Sequence, residues 1–201
     1  MAYIAKLTNE GGVKSLNRYI SMLAGNDAFV GAAYESIATY SGNGSASAFT
    51  FSSIPTTYKH LQVRLIVRGV RAFSSEQLYI RLNGDAGNNY SYYYFTGNGS
   101  GTGGGSNANV NVYLVNEFPA ANETANVFST SIIDILDSNS TAKNSTFRSL
   151  SGYDNNGNAN YNGTVWFGGG VWANTAAITS LTVLSNGAFA TGSSIALYGV
   201  K

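Results

Sequence analysis

Cysteine is absent from the sequence, which excludes disulfides, thiolate zinc sites and cysteine nucleophiles. Histidine occurs once, as His60 beside Lys59, and no G-x-S-x-G elbow is present. A serine-hydrolase triad therefore lacks both its nucleophile geometry and a choice of base, and His60 is expected to be structural. Charge is also scarce: 10% of the residues are charged, against roughly 25% in an average soluble protein. The formal net charge of +1 sets up no global field that would draw nucleic acid or an anionic membrane. No apolar run approaches the roughly 20 residues that span a bilayer, so no membrane insertion is expected. The opening M-A-Y-I-A-K-L-T-N-E-G-G has no continuous apolar core of the signal-peptide kind, and synthesis in a cytoplasm is expected.

What remains is ample material for a core. Hydrophobic residues make up 44% of the 201 and aromatics 13%, so the low-hydrophobicity, high-charge signature of disorder is missing. With so little charge, the surface is kept wet by Asn, Ser, Thr and Gly. Such surfaces suit dense packing into an assembly, and they also occur on exported sandwiches.

The most informative stretch is Ile54 to Arg71, I-P-T-T-Y-K-H-L-Q-V-R-L-I-V-R-G-V-R. Leu61, Val63, Leu65 and Val67 alternate with Gln62, Arg64, Ile66 and Arg68. Period two puts these sets on opposite faces of one long strand, one face dry and the other bearing arginines. Pro55 marks a break before it. From residue 34 onward the β signal continues, with strands expected at 34–40, 47–53, 60–71, 76–83, 90–96, 109–116, 126–136, 145–150, 163–172, 178–185 and 193–200. Many short strands without helical interludes indicate an all-β, jelly-roll-like antiparallel β-sandwich over 34–201. The closing I-A-L-Y-G-V-K is expected inside a sheet. Residues 1–33 read differently. Val13, Leu16, Tyr19, Ile20 and Leu23 recur at helical spacing, predicting a short amphipathic α-helix within an N-terminal arm. One short helix cannot bury its own stripe, so it packs either on an assembly partner or sister chain or on its own domain.

Candidate chemistry is thin, and no catalytic residue, metal ligand or cofactor is assigned. Asp134 and Asp137 stand three apart, on opposite faces of a strand, and nothing selects a pair among Glu35, Glu76, Asp85, Glu117, Glu123 and Asp154 for glycoside hydrolysis. Asp154, Asn156 and Asn158 alternate like calcium-loop oxygens, but Gly157 comes too early for an EF-hand and no closing glutamate follows, which leaves a solvated turn. The tract Gly97 to Ser106 lacks the Lys and helix of a P-loop and reads as a flexible excursion between strands. Arg64 and Arg68 are too few for nucleic acid. They are expected at a subunit interface, where their removal would weaken the oligomer more than the fold. The aromatic clusters Y-S-Y-Y-Y-F, with Tyr92, Tyr93 and Tyr94, and V-W-F-G-G-G-V-W, with Trp166 and Trp172, are candidate binding surfaces for sugar rings or a protein partner. Core and cross-strand packing is the alternative for each.

Several phrases carry a family resemblance: Y-E-S-I-A-T (34–39), F-S-S-I-P-T-T-Y-K-H-L-Q-V-R (51–64), L-N-G-D (82–85), I-I-D-I-L-D (132–137), R-S-L-S-G-Y (148–153) and the C-terminal I-A-L-Y-G-V-K. In this order they resemble a group of tailed-bacteriophage virion proteins of the structural or tail-fibre type. The resemblance covers about residues 34 to 201 and carries over no catalytic residue. It implies a β-sandwich exposed on a virion, homotrimeric, in contact with other virion proteins of tail, baseplate or capsid. Two roles follow as expectations: a tail fibre or fibre tip that meets a host cell-surface glycan, or a capsid decoration protein. A carbohydrate-active enzyme and a non-viral lectin-like module are the readings outside that class.

Overall fold

The protein is described by a computed structural model covering residues 33–155 and 163–201. The expected helix stripe of Val13, Leu16, Tyr19, Ile20 and Leu23 lies outside these residues, as do Asn156, Gly157 and Asn158 of the polar loop. Twelve strands are formed: β1 (Tyr34–Ser41), β2 (Ala48–Phe51), β3 (His60–Val67), β4 (Ser75–Leu82), β5 (Tyr90–Gly97), β6 (Thr102–Val110), β7 (Tyr113–Pro119), β8 (Ser129–Leu136), β9 (Ser145–Tyr153), β10 (Thr164–Trp172), β11 (Leu181–Ser185) and β12 (Ser194–Val200). There is no helix among the described residues. The domain is all-β, a sandwich of two antiparallel sheets.

The large sheet runs β1-β12-β3-β8-β9-β10-β5-β6 and the small one β2-β11-β4-β7. In chain order, β1 to β4 alternate between the sheets, and so do β7, β8, β11 and β12. The two remaining hairpins, β5–β6 and β9–β10, both extend the large sheet beyond β8. Eight strands therefore face four: β9 and β10 pack against β7, the edge of the small sheet, and the large sheet continues beyond them through β5 and β6.

The core follows from the alternation read in the sequence. Leu61, Val63, Leu65 and Val67 are almost wholly buried on β3. Val63 sits level with Ile133 on one side and Leu197 on the other, so the dry stripe continues across three strands. Leu78, Ile80 and Leu82 of β4 with Leu181 and Val183 of β11 supply the facing layer. Each such side chain contributes roughly 1.5–3 kcal/mol by leaving water. Phe189 stacks between Phe49 and Phe118, with ring centroids at 5.8 and 5.9 Å, and closes one end. The C-terminal strand is internal as expected, between β1 and β3.

Two strand assignments change. The strand expected over 60–71 ends at Val67, and Gly69 meets Phe189 only as an isolated bridge. The tract 97–106 is no loose excursion: β6 occupies Thr102–Val110 and pairs along β5, and the strand expected at 109–116 divides between β6 and β7. Glycine and asparagine give β6 no apolar alternation because it is an edge strand with little to bury. Its partner supplies the missing side chains. The Tyr94 ring lies so close to Gly105 that a Cβ there would be 2.9 Å from Tyr94 Cζ, and Phe95 flanks Gly104. Aromatic side chains laid over a neighbouring glycine are a recognised way to hold such an edge.

Trp172, a candidate surface residue by sequence, is fully buried at the end of β10. Its Nε1–H donates to Asp85 Oδ2 at 2.7 Å, and its ring stacks near Tyr90. Burial alone would raise the Asp85 carboxyl. Donors from Asn89, Trp172, the Gly87 amide and Asn174 outweigh it and hold the pKa below the ordinary carboxylate value. A carboxyl depressed on folding contributes stability that is full above its unfolded pKa of about 3.9 and is lost as pH falls through the lower folded value. The urea midpoint of the wild type is thus expected to fall more steeply than that of Asp85→Asn between about pH 5 and 2.5. Parallel curves would show that these donors do not distinguish the ionised form.

Candidate functional site

The two added hairpins make a concave surface, and β10 shows how it is attached. In T-V-W-F-G-G-G-V-W, alternate positions Trp166, Gly168, Gly170 and Trp172 face the small sheet. Tyr113 of β7 lies against the two glycines. A Cβ on Gly170 would come within 2.8 Å of its ring and one on Gly168 within 3.1 Å of its hydroxyl. The same ring stacks on Phe147 at 4.3 Å and meets Tyr92 edge-on at 6.3 Å. Its hydroxyl shares a 3.0 Å hydrogen bond with Ser149 Oγ. Burial pushes the Tyr113 phenol up to about 12, so it stays neutral at any working pH and acts as a wedge between the sheets.

Beyond this wedge, between the small-sheet edge and the β5–β6 hairpin, lies a cleft of about 570 Å3. Ser75, Glu117 and Glu123 line one side, Thr96 and Thr102 the other, and Trp166 lies at its wall. Trp166 packs on Tyr94 with centroids 4.5 Å apart, so a residue of the other aromatic cluster backs this wall without lining the cleft. Ser75 Oγ donates to Glu117 Oε2 at 3.3 Å. Glu123 is buried, and its Oε2 has no hydrogen-bond partner. Such an acceptor is costly to leave unsatisfied, and a hydroxyl or ammonium donor brought in beside it would relieve that cost. None of the described lining residues is Lys, Arg or His. A second hollow, of about 720 Å3, passes Tyr92, Tyr93, Asn107 and Phe147 without a charged residue among the described lining.

The aromatic candidates of the sequence thus separate. Trp166 lines the cleft and Tyr94 packs behind it, although Trp166 itself is only 7% exposed and offers an edge rather than an open platform. Tyr92 is half-buried against Tyr113, and its hydroxyl accepts from Asn107 Nδ2. Tyr93 points to the opposite face of the sheet and is exposed. Trp172 is core, and its assignment to a surface patch is corrected. Period two puts the two tryptophans on one face, but parity alone does not say which face is dry.

The arginines separate too. Arg64 is exposed on the outer face, with its guanidinium over Tyr34 and Tyr198 at 5.4 and 5.1 Å and Nε donating to Gln62 Oε1. Arg68 is engaged inside its own chain. Nη1 donates to the Thr124 and Val127 carbonyls, each at 2.8 Å, and Nη2 to the Glu123 carbonyl at 2.9 Å. Its reading as a subunit-interface residue is therefore replaced: it pins the 123–127 loop, and with it Glu123, at the cleft. Nothing in the sequence links residues 55 apart, so this contact was not legible.

The other candidates for chemistry stay apart. His60 Nδ1 accepts the Asp137 amide at 3.0 Å and shapes the turn after β8. Asp134 pairs with Arg148 on the outer face at 3.0 Å, and Asp137 pairs with Lys143 at 3.8 Å beyond the strand end. Among the described residues, no group of three or more His, Cys, Asp or Glu side chains is placed to hold a metal ion. No protein-family model, no curated protein and no solved structure matches the chain.

Proposed function

We propose that this is a non-enzymatic structural protein of a tailed-phage particle, a tail fibre or fibre-tip protein. In this reading it attaches through its N-terminal segment and presents a trimeric jelly-roll domain to the host surface. The resemblance of the phrases quoted above to those of phage virion proteins is what supports the class. The strand order supports the finer fold: β1-β12-β3-β8 opposite β2-β11-β4-β7 is the order of a wound double Greek key, with β5–β6 and β9–β10 inserted.

The observation that carries host binding is the cleft under those inserted hairpins. It combines an aromatic wall, several hydroxyls and two carboxylates with no cation in its described lining. Aromatic and hydroxyl groups together suit a saccharide, and Glu117 with Glu123 accept donors while repelling anions. The ligand is therefore a neutral or amino-bearing surface glycan rather than an acidic one. Single shallow sites of this kind gain strength through repetition on a trimer.

A glycan array probed with the labelled full-length chain tests the reading. Neutral or amino oligosaccharides are expected to be retained over uronic or sialylated ones. Trp166→Ala, checked for folding by circular dichroism, is expected to weaken the retained ones by roughly 30-fold, the ~2 kcal/mol of an interface hot spot. A chain that binds no saccharide, on particles whose heads lose stability without it, would point to capsid decoration instead.

A further inference from the structure

The outer face of the large sheet is apolar where a two-layer sandwich calls for a wet one. Cross-strand register lines up Arg64, Ile132, Leu150, Phe167 and Phe95 as direct neighbours on β3, β8, β9, β10 and β5. Four of these five are large apolar side chains, with Leu150 56% and Phe95 61% exposed. Ile66 and Val165 extend the patch on one flank and Tyr93 on the other, all about half exposed. At roughly 4.8 Å per strand the row spans about 19 Å.

Large side chains present about 150–250 Å2 when aromatic and somewhat less when aliphatic, so seven at half exposure leave on the order of 500 Å2 of apolar surface. That is the upper end of what a monomer keeps exposed. A standard interface needs about 800 Å2 per partner, of which about 65% is apolar between like chains, or about 520 Å2. The patch matches that apolar requirement, and the polar rows beside it supply the rest.

Charge on the face points to the same partner. Asp134 is paired with Arg148 and also accepts from Gln62, so the adjoining row is neutral within one chain. Arg64 is already placed over two tyrosine rings. A nucleic acid or an anionic membrane would require uncompensated cations, and a strongly charged protein would meet no counter-charge. A copy of the same face, apolar apart from the one arginine held over its own tyrosines, meets neither obstacle.

We infer that this outer face, centred on Leu150 and Phe167, is buried against the same face of another copy of this chain. About a two-fold axis the whole patch meets its own copy; around a three-fold axis one half of the face meets the other half on the neighbouring copy. The inference specifies the surface behind the trimer proposed above but depends neither on the phage assignment nor on the glycan cleft. Saccharide binding tests those, and oligomer mass tests this.

The absence of native cysteine makes the test clean. The full-length wild type is expected to sediment as an oligomer. Leu150→Lys and Phe167→Lys, which replace exposed side chains, are expected to weaken association by at least 100-fold without shifting the thermal unfolding of the dissociated chain. A lone thiol in Leu150→Cys should resist maleimide in the oligomer, react on dilution, and join two chains when oxidised. Unchanged mass in both lysine variants would overturn the inference, as would a wild type that stays monomeric. A thiol protected at every dilution would also overturn it, because the cover would then come from the same chain.

Discussion

Trp172→Ala is expected to lower the unfolding free energy by about 4 kcal/mol, the largest single effect foreseen for the described domain. The indole is fully buried at the point where β10 returns to the turn holding Asp85 and Asn89. Removing it leaves a cavity beside Tyr90 and strips the partly exposed Asp85 carboxylate of a 2.7 Å donor. For a domain of this size the loss corresponds to a fall in Tm of roughly 8–16 °C. Trp172→Phe separates the two contributions. It keeps most of the packing and loses only the hydrogen bond to a charged acceptor, so a cost of about 1.5–3 kcal/mol is expected. Urea unfolding followed by circular dichroism measures both. Were Trp172→Ala to shift the midpoint no more than an exposed substitution does, the indole would not be the anchor of this corner.

Most of the central sandwich was legible because its signals are local. β3 announces itself through strict alternation, and the structure buries Leu61, Val63, Leu65 and Val67 as that alternation requires. β6 was missed for a physical reason. Its glycines and asparagines have no periodic pattern, and its strand conformation is held by Tyr94 and Phe95 reaching across from β5. That information is stored in a different strand.

The candidate site was legible only in its residue types. Tyr94 and Trp166 were singled out, but their meeting depends on β5 pairing with β10 across more than 70 residues of chain. Trp172 shows the limit of composition, because a tryptophan near glycines looks alike whether it faces water or core. A further signal lies in adjacent apolar positions. In I-I-D-I-L and V-W-F, apolar residues occupy adjacent positions, so both strand faces are apolar. Strands that are apolar on both faces are buried on both faces. Ile132, Val165 and Phe167 are instead exposed in the single chain.

Arg68→Ala is expected to cost about 3 kcal/mol and to leave the oligomer mass unchanged, the reverse of what its place on an arginine-bearing strand face suggests. Three carbonyls, of Glu123, Thr124 and Val127, share one guanidinium. Hydrogen bonds to a charged donor contribute about 1.5–3 kcal/mol each, but water reaching the loosened loop recovers part of the sum. Lysine has no planar fork to serve three acceptors at once, so Arg68→Lys should recover less than half of the loss. The functional consequence lies one residue from the contact. The Glu123 carbonyl is held while its carboxylate lines the cleft, so freeing the loop should also weaken saccharide retention on the array. Glu123→Gln should weaken it without the stability loss, which separates the loop's position from its charge. If Arg68→Ala lowered the sedimenting mass and left the urea midpoint in place, the guanidinium would belong to an interface after all, and the loop would need another anchor.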